Sequence, residues 1–326
     1  VSAEGSRDGG ILAKLRGAKR PAWVGPLVAL VVVFAIFALT TPDGTFLRSQ
    51  NLLTMARQTV VVGICALGMT MVIVTGGIDL STGSLVALTT VVIAKLLKGG
   101  SSPLVAVATA VAVVTCVGAV VGFLVGRLRM MPFVVTLGTM TALRGAAKGL
   151  ADEQKIDCDP RGLDRVLEAS LSAPGMWIAI ALAVAVACLL SYTRFGRHVF
   201  AVGSNEAAAR LCGIDAARVK IAVYALSSLL AAVAGVMEFS TLTVGDPTDS
   251  VGLELEVIAA VVIGGAPLAG GEGSVVGSVL GALLMTVIRT GAVHRGMPSW
   301  VQEIATGAII VVAVALDRAR HKRTRT

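Results

Sequence analysis

Apolar stretches carrying at most one charge each follow one another along these 326 residues, and they constrain the chain more than anything else in it. The first runs from Trp23 to Leu39. Thr59 to Thr75, Gly83 to Leu97, Pro103 to Gly126, Pro132 to Ala147, Gly175 to Tyr192, Ile221 to Leu242, Val257 to Leu268, Ser274 to Ile288 and Val301 to Leu316 succeed it. A helix that crosses a bilayer needs roughly 20 such residues. The pattern predicts an all-α, polytopic membrane protein of about ten crossings, with soft boundaries. Composition agrees, because a chain 55% hydrophobic and only 15% charged cannot hide its apolar surface in one soluble core.

The charges fall where the crossings predict. Lys14, Arg16, Lys19 and Arg20 precede the first run, Arg127 and Arg129 follow the fourth, and further basic residues crowd Arg194 to Lys220 and Arg318 to Arg325. Lys/Arg-rich loops stay in the cytoplasm. Ten passes that begin inside put all of these clusters on that side. The expected organisation is therefore a basic cytoplasmic segment at 1–22, a membrane domain at 23–316 and a cytoplasmic tail at 317–326, with both ends of the chain inside. The first run is read as an uncleaved span, since it exceeds a signal core and lacks a small-residue cleavage site after it. The same parity places Ala151 to Pro174, with Asp152, Glu153, Asp157, Asp159, Asp164 and Glu168, outside.

Several chemistries are disfavoured. The net charge of +8 belongs to clusters flanking apolar runs, and aromatics are only 4%, so no nucleic-acid face is expected. Cys65, Cys116, Cys158, Cys188 and Cys212 have no paired metal spacing and read as small packing residues. His198, His294 and His321 are scattered, so neither a metal site nor a catalytic residue is expected. No phosphate-binding Gly-x-x-x-x-Gly-Lys-Ser/Thr loop occurs, which predicts that the chain does not hydrolyse ATP itself.

Within the basic loop 193–220 lies Gly203-Ser204-Asn205-Glu206-Ala207-Ala208-Ala209-Arg210-Leu211-Cys212-Gly213. Ser204 or Asn205 can cap a short helix, Glu206 suits its first turn and Gly213 can end it in a left-handed turn. It is a docking knob or an ordinary connector. Two glycine clusters, Gly76-Gly77-Ile78-Asp79-Leu80-Ser81 and Gly264-Gly265 through Gly270-Gly271 to Ser274, share a Gly-Gly-x-x-Leu core after a Val/Ile-rich run. They point to interrupted helices along a transport pathway, or to close helix packing of the kind that Gly118/Gly122/Gly126 and Gly277/Gly281 spacing implies. Asp79 is either the cap of a helix that begins near Ser81 or a substrate contact, its carboxylate held by free backbone donors at Gly76, Gly77 and Ser81. The segment Phe46 to Gln58 suits an interfacial helix or the start of the next span.

These motifs together resemble the ribose-type ABC-importer permease family over about Phe46 to Leu316. The likeness rests on Asn51-Leu52-Leu53, Gly68-Met69-Thr70, the Gly76 to Ser81 cluster, Pro132-Phe133 with Thr136-Leu137-Gly138, Arg144-Gly145, Thr193 to Arg197, Ala201 to Leu211 and Gly264 to Ser274. It implies a monosaccharide permease in the bacterial inner membrane and an architecture similar to vitamin B12-type importers. ATP and Mg would be bound by a separate ABC ATPase subunit, with no cofactor in this chain. A soluble sugar-binding protein outside and a second or sister permease complete the implied assembly. Gly203, Ser204, Asn205, Glu206, Ala207, Ala208, Arg210, Leu211 and Gly213 would meet the ATPase. Gly76, Gly77, Asp79, Ser81, Gly264, Gly265, Gly270, Gly271 and Ser274 would belong to the pathway. Thr82, Ala266 and the charged external loop depart from the family pattern and leave the substrate open. The residues alone also admit a self-contained secondary carrier of small polar solutes, or a passive channel.

Overall fold

The computed structural model describes residues 23–168, 170 and 172–323, so the basic segment expected at 1–22 and the last residues of the tail lie outside it. The described chain is helical apart from one short strand pair. Its helices are α1 (Val24–Thr40), α2 (Ser49–Val74), α3 (Thr82–Lys98), α4 (Pro103–Gly126), α5 (Pro132–Leu150), α6 (Pro174–Tyr192), α7 (Arg194–Ser204), α8 (Glu206–Leu211), α9 (Ala216–Leu242), α10 (Leu253–Ile263), α11 (Val275–His294) and α12 (Ser299–Arg323). Pro103, Pro132 and Pro174 stand at the first turns of α4, α5 and α6, where a missing N–H costs nothing. Five helices, α2, α4, α6, α9 and α11, are each long and apolar enough to cross a membrane.

Each expected apolar run contributes to one of the longer helices, but three details differ. Phe46 to Gln58 divides between a 3₁₀ turn, Pro42–Leu47, and the first turns of α2, because Asn51 donates to the Phe46 carbonyl at 2.7 Å and folds the turn onto the helix. The run Val257 to Leu268 is shifted. Its helix begins at Leu253, takes in Glu254 and Glu256, and stops at Ile263, because Gly265 turns left-handed (φ +97°). Finally, β1 (Ile156–Asp157) pairs antiparallel with β2 (Val244–Gly245), joining two loops in a fold otherwise built of helices.

Helix α2 is the axis of the bundle, with 83% of its most apolar window buried, whereas α6 has 17% and lies on the rim. Apolar side chains such as Val120 and Phe123 on α4, and Trp177, Ile180 and Val184 on α6, point outward. Tight crossings use small residues. A Cβ on Gly122 would sit 2.6 Å from Cα of Ile221, and one on Gly126 2.8 Å from the Ala217 carbonyl, so α4 packs on α9 along the expected four-residue stripe. Gly277 and Gly281 bring α11 equally close to the carbonyls of Gly264 and Ala260. A buried hydrogen bond of 2.7 Å between Thr70 and Ser278 ties α2 to α11.

Contacts sort the loops into two ends. At one, Lys155 pairs with Asp246 at 3.0 Å, Arg161 donates to the Ser101 carbonyl at 3.0 Å and Lys95 to that of Leu150 at 2.7 Å. At the other, the end of α2 meets α7 and the loop between α10 and α11.

Candidate functional site

The basic loop folds as two helices. Thr193 caps α7 by accepting the Gly196 amide at 3.1 Å. Gly196, Val199 and Val202 are buried while Arg194, Arg197 and His198 face out, so α7 is amphipathic and lies along the bundle end. No long apolar run announces this helix, although the three-residue spacing of Gly196, Val199 and Val202 is a usable signal. Asn205 then adopts extended backbone (φ −163°), and its side chain accepts the Ala208 amide at 3.0 Å. Of the two candidate caps, Asn205 serves α8; Ser204 is the last residue of α7.

The far end of α8 closes as its sequence suggests. Gly213 is left-handed (φ +83°), its amide donates to the Arg210 carbonyl, and the Ile214 amide donates to that of Ala209, both at 3.0 Å. This paired arrangement satisfies the orphan carbonyls of a helix end. Asp215 starts α9 by accepting the amides of Ala217 and Arg218 at 3.1 Å each. The Arg218 amide, above all, holds the Asp215 carboxyl below its ordinary range.

Glu206 gives α8 its orientation. Its two oxygens take Arg210 one turn along and Lys220 of α9, at 2.5 and 2.6 Å. Partial burial pushes its carboxyl up, but hydrogen bonds from Lys220 and Arg210 outweigh that and hold it below the usual value. The short helix is thereby braced against α9. Ala207, Ala208 and Cys212 are left exposed, and Leu211, 91% exposed, stands clear of the bundle.

The two glycine clusters share one device, offset by a residue from the sequence alignment. At the end of α2, Gly76 (φ +77°) donates to the Ile73 carbonyl at 2.8 Å and Gly77 to that of Val72 at 3.0 Å. At the end of α10, Gly265 donates to the Val262 carbonyl at 3.0 Å and Ala266 to that of Val261 at 3.2 Å. The left-handed residue is Gly76 in one case and Gly265 in the other. Gly77 then packs on the Tyr224 hydroxyl, and Gly264 on the backbone of Gly277.

Asp79 and Ser81 are both buried, and the Asp79 carboxylate accepts the Ser81 amide at 2.9 Å and its hydroxyl at 2.6 Å. Of the expected donors Ser81 alone reaches it, since the amides of Gly76 and Gly77 bond the carbonyls at the end of α2. The residue closes a turn leading into α3. Ser274 caps α11, accepting the Gly277 amide at 3.3 Å. None of these residues lines the open cavity of about 620 Å³ between α2, α9, α10, α11 and α12. Gln58, Glu238, Glu256, Arg289, Gln302 and Glu303 do. Glu238 and Glu256 are visible in the sequence as ionisable groups near apolar runs. Arg289, which reaches Glu256 at 3.4 Å from 33 residues away, gives no local signal.

The sequence profile of a permease family, described as a branched-chain amino acid transport system permease component, matches residues 51–314. The ribose import permease RbsC of Escherichia coli K12 is 39% identical, over 90% of this chain and 93% of its own length. The chain belongs to the ribose-type ABC permease family. The ribose import permease RbsC of Bacillus subtilis strain 168 is 36% identical to this permease, over 91% and 93% of the two chains. An L-arabinose ABC transporter permease, AraH of Azospirillum brasilense, is 34% identical over 92% and 89%. No solved structure matches the permease significantly. Membership decides against a self-contained carrier or passive channel. The permease is an ABC transport subunit and a multi-pass protein of the bacterial inner membrane.

Proposed function

We propose that this permease imports a monosaccharide delivered by an extracytoplasmic binding protein, and that an ABC ATPase docks on α8 to drive it. Relatives of nearly equal length named for ribose and L-arabinose support the substrate class. The observation that carries the docking site is a helix held rigid by Glu206 yet presenting Leu211 to solvent. Exposed apolar residues on a braced helix bury well in a partner's groove. ATP and Mg belong to that partner, and the permease supplies no catalytic residue and no cofactor.

In this assignment residues 23–316 cross the membrane about ten times, the loop 193–220 and both chain ends lie in the cytoplasm, and the bundle resembles B12-type importers. The permease works as a pair, with a second copy or a sister chain. Gly76, Gly77, Asp79, Ser81, Gly264, Gly265, Gly270, Gly271 and Ser274 shape the cytoplasmic half of the pathway through backbone packing.

The test replaces Glu206 by Lys, which sets three cations together where one carboxylate held two. The expected result is loss of ATPase co-purification and of ribose or arabinose uptake, with normal membrane insertion. Uptake that continues unchanged overturns the docking assignment.

A further inference from the structure

Three separate parts of the chain meet backbone to backbone beneath the docking helix. They are the end of α7 at Gly203–Ser204, the end of α2 at Val74, and the α10–α11 loop at Gly270–Gly271. A Cβ on Gly203 would overlap the Val74 carbonyl and lie 2.8 Å from the Gly271 nitrogen. The Gly271 amide donates to that same Val74 carbonyl at 2.8 Å. Cβ atoms on Gly271 and Gly270 would come within 2.9 Å of the Ser204 hydroxyl and 2.8 Å of the Gly76 nitrogen. Both glycines are left-handed at φ +81°, so backbone conformation and contact demand glycine together.

Such a joint has an unusual mechanical property. Where side chains touch, a displacement of an ångström is absorbed by rotamer changes. Here the contacts are backbone on backbone apart from the short Ser204 hydroxyl beside Gly271, and packed interiors resist compression. A shift of α7 toward the bundle must therefore move Val74 or Gly271, and the hydrogen bond between those two makes them move together. The segment after Val74 is itself gripped from α5, whose Thr136 hydroxyl donates to the Ile78 carbonyl at 3.1 Å.

We propose that the Gly203–Val74–Gly271 joint is the element that carries displacement of α8 into α2, α5 and the α10–α11 loop, making Gly203 a positioning residue for transport. The proposal rests on α8 being the ATPase dock. It adds that the force leaves the dock through α7 and enters both halves of the bundle at one point.

The experiment uses the transporter reconstituted with its ATPase and binding protein. Gly203→Ala is expected to lower the sugar taken up per ATP hydrolysed about tenfold or more in the complexes that form, the usual size of a lost coupling. Gly25→Ala, with open space around it, is the matched control and keeps uptake. The wild-type complex supplies a second measurement that no folding defect can cloud. Hydrogen exchange of peptides covering 194–204, 70–78 and 264–274 should change together when nucleotide is trapped, while 156–157 and 244–245 do not follow.

Uptake per ATP at the wild-type level in Gly203→Ala, or a response confined to 194–204, overturns the joint. An ATPase that fails to bind the wild-type permease overturns the docking assignment instead, so the two failures are distinguishable.

Discussion

The two ends of this bundle are fastened by different means. At the α7 end the parts touch through glycine backbone, with Gly271 bonded to Val74 and Gly203 against both. At the other end the loops are held mostly by long side chains: Arg144 donating to the carbonyls of Pro247 and Asp249 at 3.0 and 2.6 Å, Arg161 to Ser101, and Lys155 to Asp246. Backbone joints transmit movement and tolerate almost no substitution. Side-chain tethers follow movement, because each can swing while keeping its partner. A transporter driven from one end needs the first kind near the drive and can accept the second kind far from it.

Substitutions grade this contrast. Gly271→Leu should cost most, since it meets Ser204 and forces a side chain into left-handed backbone, a penalty of about 1–2 kcal/mol for conformation with about 1–3 more for overpacking. A thermal midpoint lowered by several degrees in detergent would register it; an unchanged midpoint would dissolve the distinction between the ends. Arg144→Ala should come next, freeing two carbonyls of the 243–252 loop at about 1–3 kcal/mol. Faster proteolysis of that loop in intact membranes is the expected sign, and Arg144→Lys should restore part of the protection. If Arg144→Ala proves more damaging than Gly271→Leu, the ranking of the two ends is reversed.

Asn205→Ala should cost about 1 kcal/mol through the lost cap, seen as faster exchange of the Ala208 amide, with Asn205→Asp close to wild type. Lys155→Ala should matter least, because Lys155 is exposed and solvent screens single surface pairs of that kind. Its pH dependence has a definite sign. Burial raises the Asp246 carboxyl, but hydrogen bonds from Thr248 and Lys155 prevail and hold it below its ordinary value. A lowered folded value stabilises above the unfolded one, near about 3.9, and fades as pH falls through the folded one. The difference between wild type and Lys155→Ala should stay flat from about pH 5 to 8 and shrink only below about pH 4.

Much of this was legible in the sequence because membrane helices announce themselves by long runs of one character. The caps were legible too: Asn205 and Gly213 do locally what their chemistry dictates. Helix α7 is hard to see in the sequence because its charged face masks the buried Gly196, Val199 and Val202 and it forms no long apolar run. The strand pair left no trace, since two residues are too few to alternate. Of the three donors expected for Asp79, Ser81 serves through both its amide and its hydroxyl, while the amides of Gly76 and Gly77 are spent on the carbonyls of Ile73 and Val72. The meeting of Gly203, Val74 and Gly271 was beyond reach. Each glycine is visible alone, yet nothing local says that residues so distant in the chain share a carbonyl.

Helix α10 has a consequence for how the protein is made. Its 11 residues extend only about 16 Å, roughly half of a bilayer's hydrocarbon. Released singly from the insertion machinery, it would leave the bare peptide groups of 264–274 in oil, which no lipid can satisfy. It must enter as a hairpin with α11 and be received by an α2 already in place, so the order of biogenesis is written into the shortness of one helix.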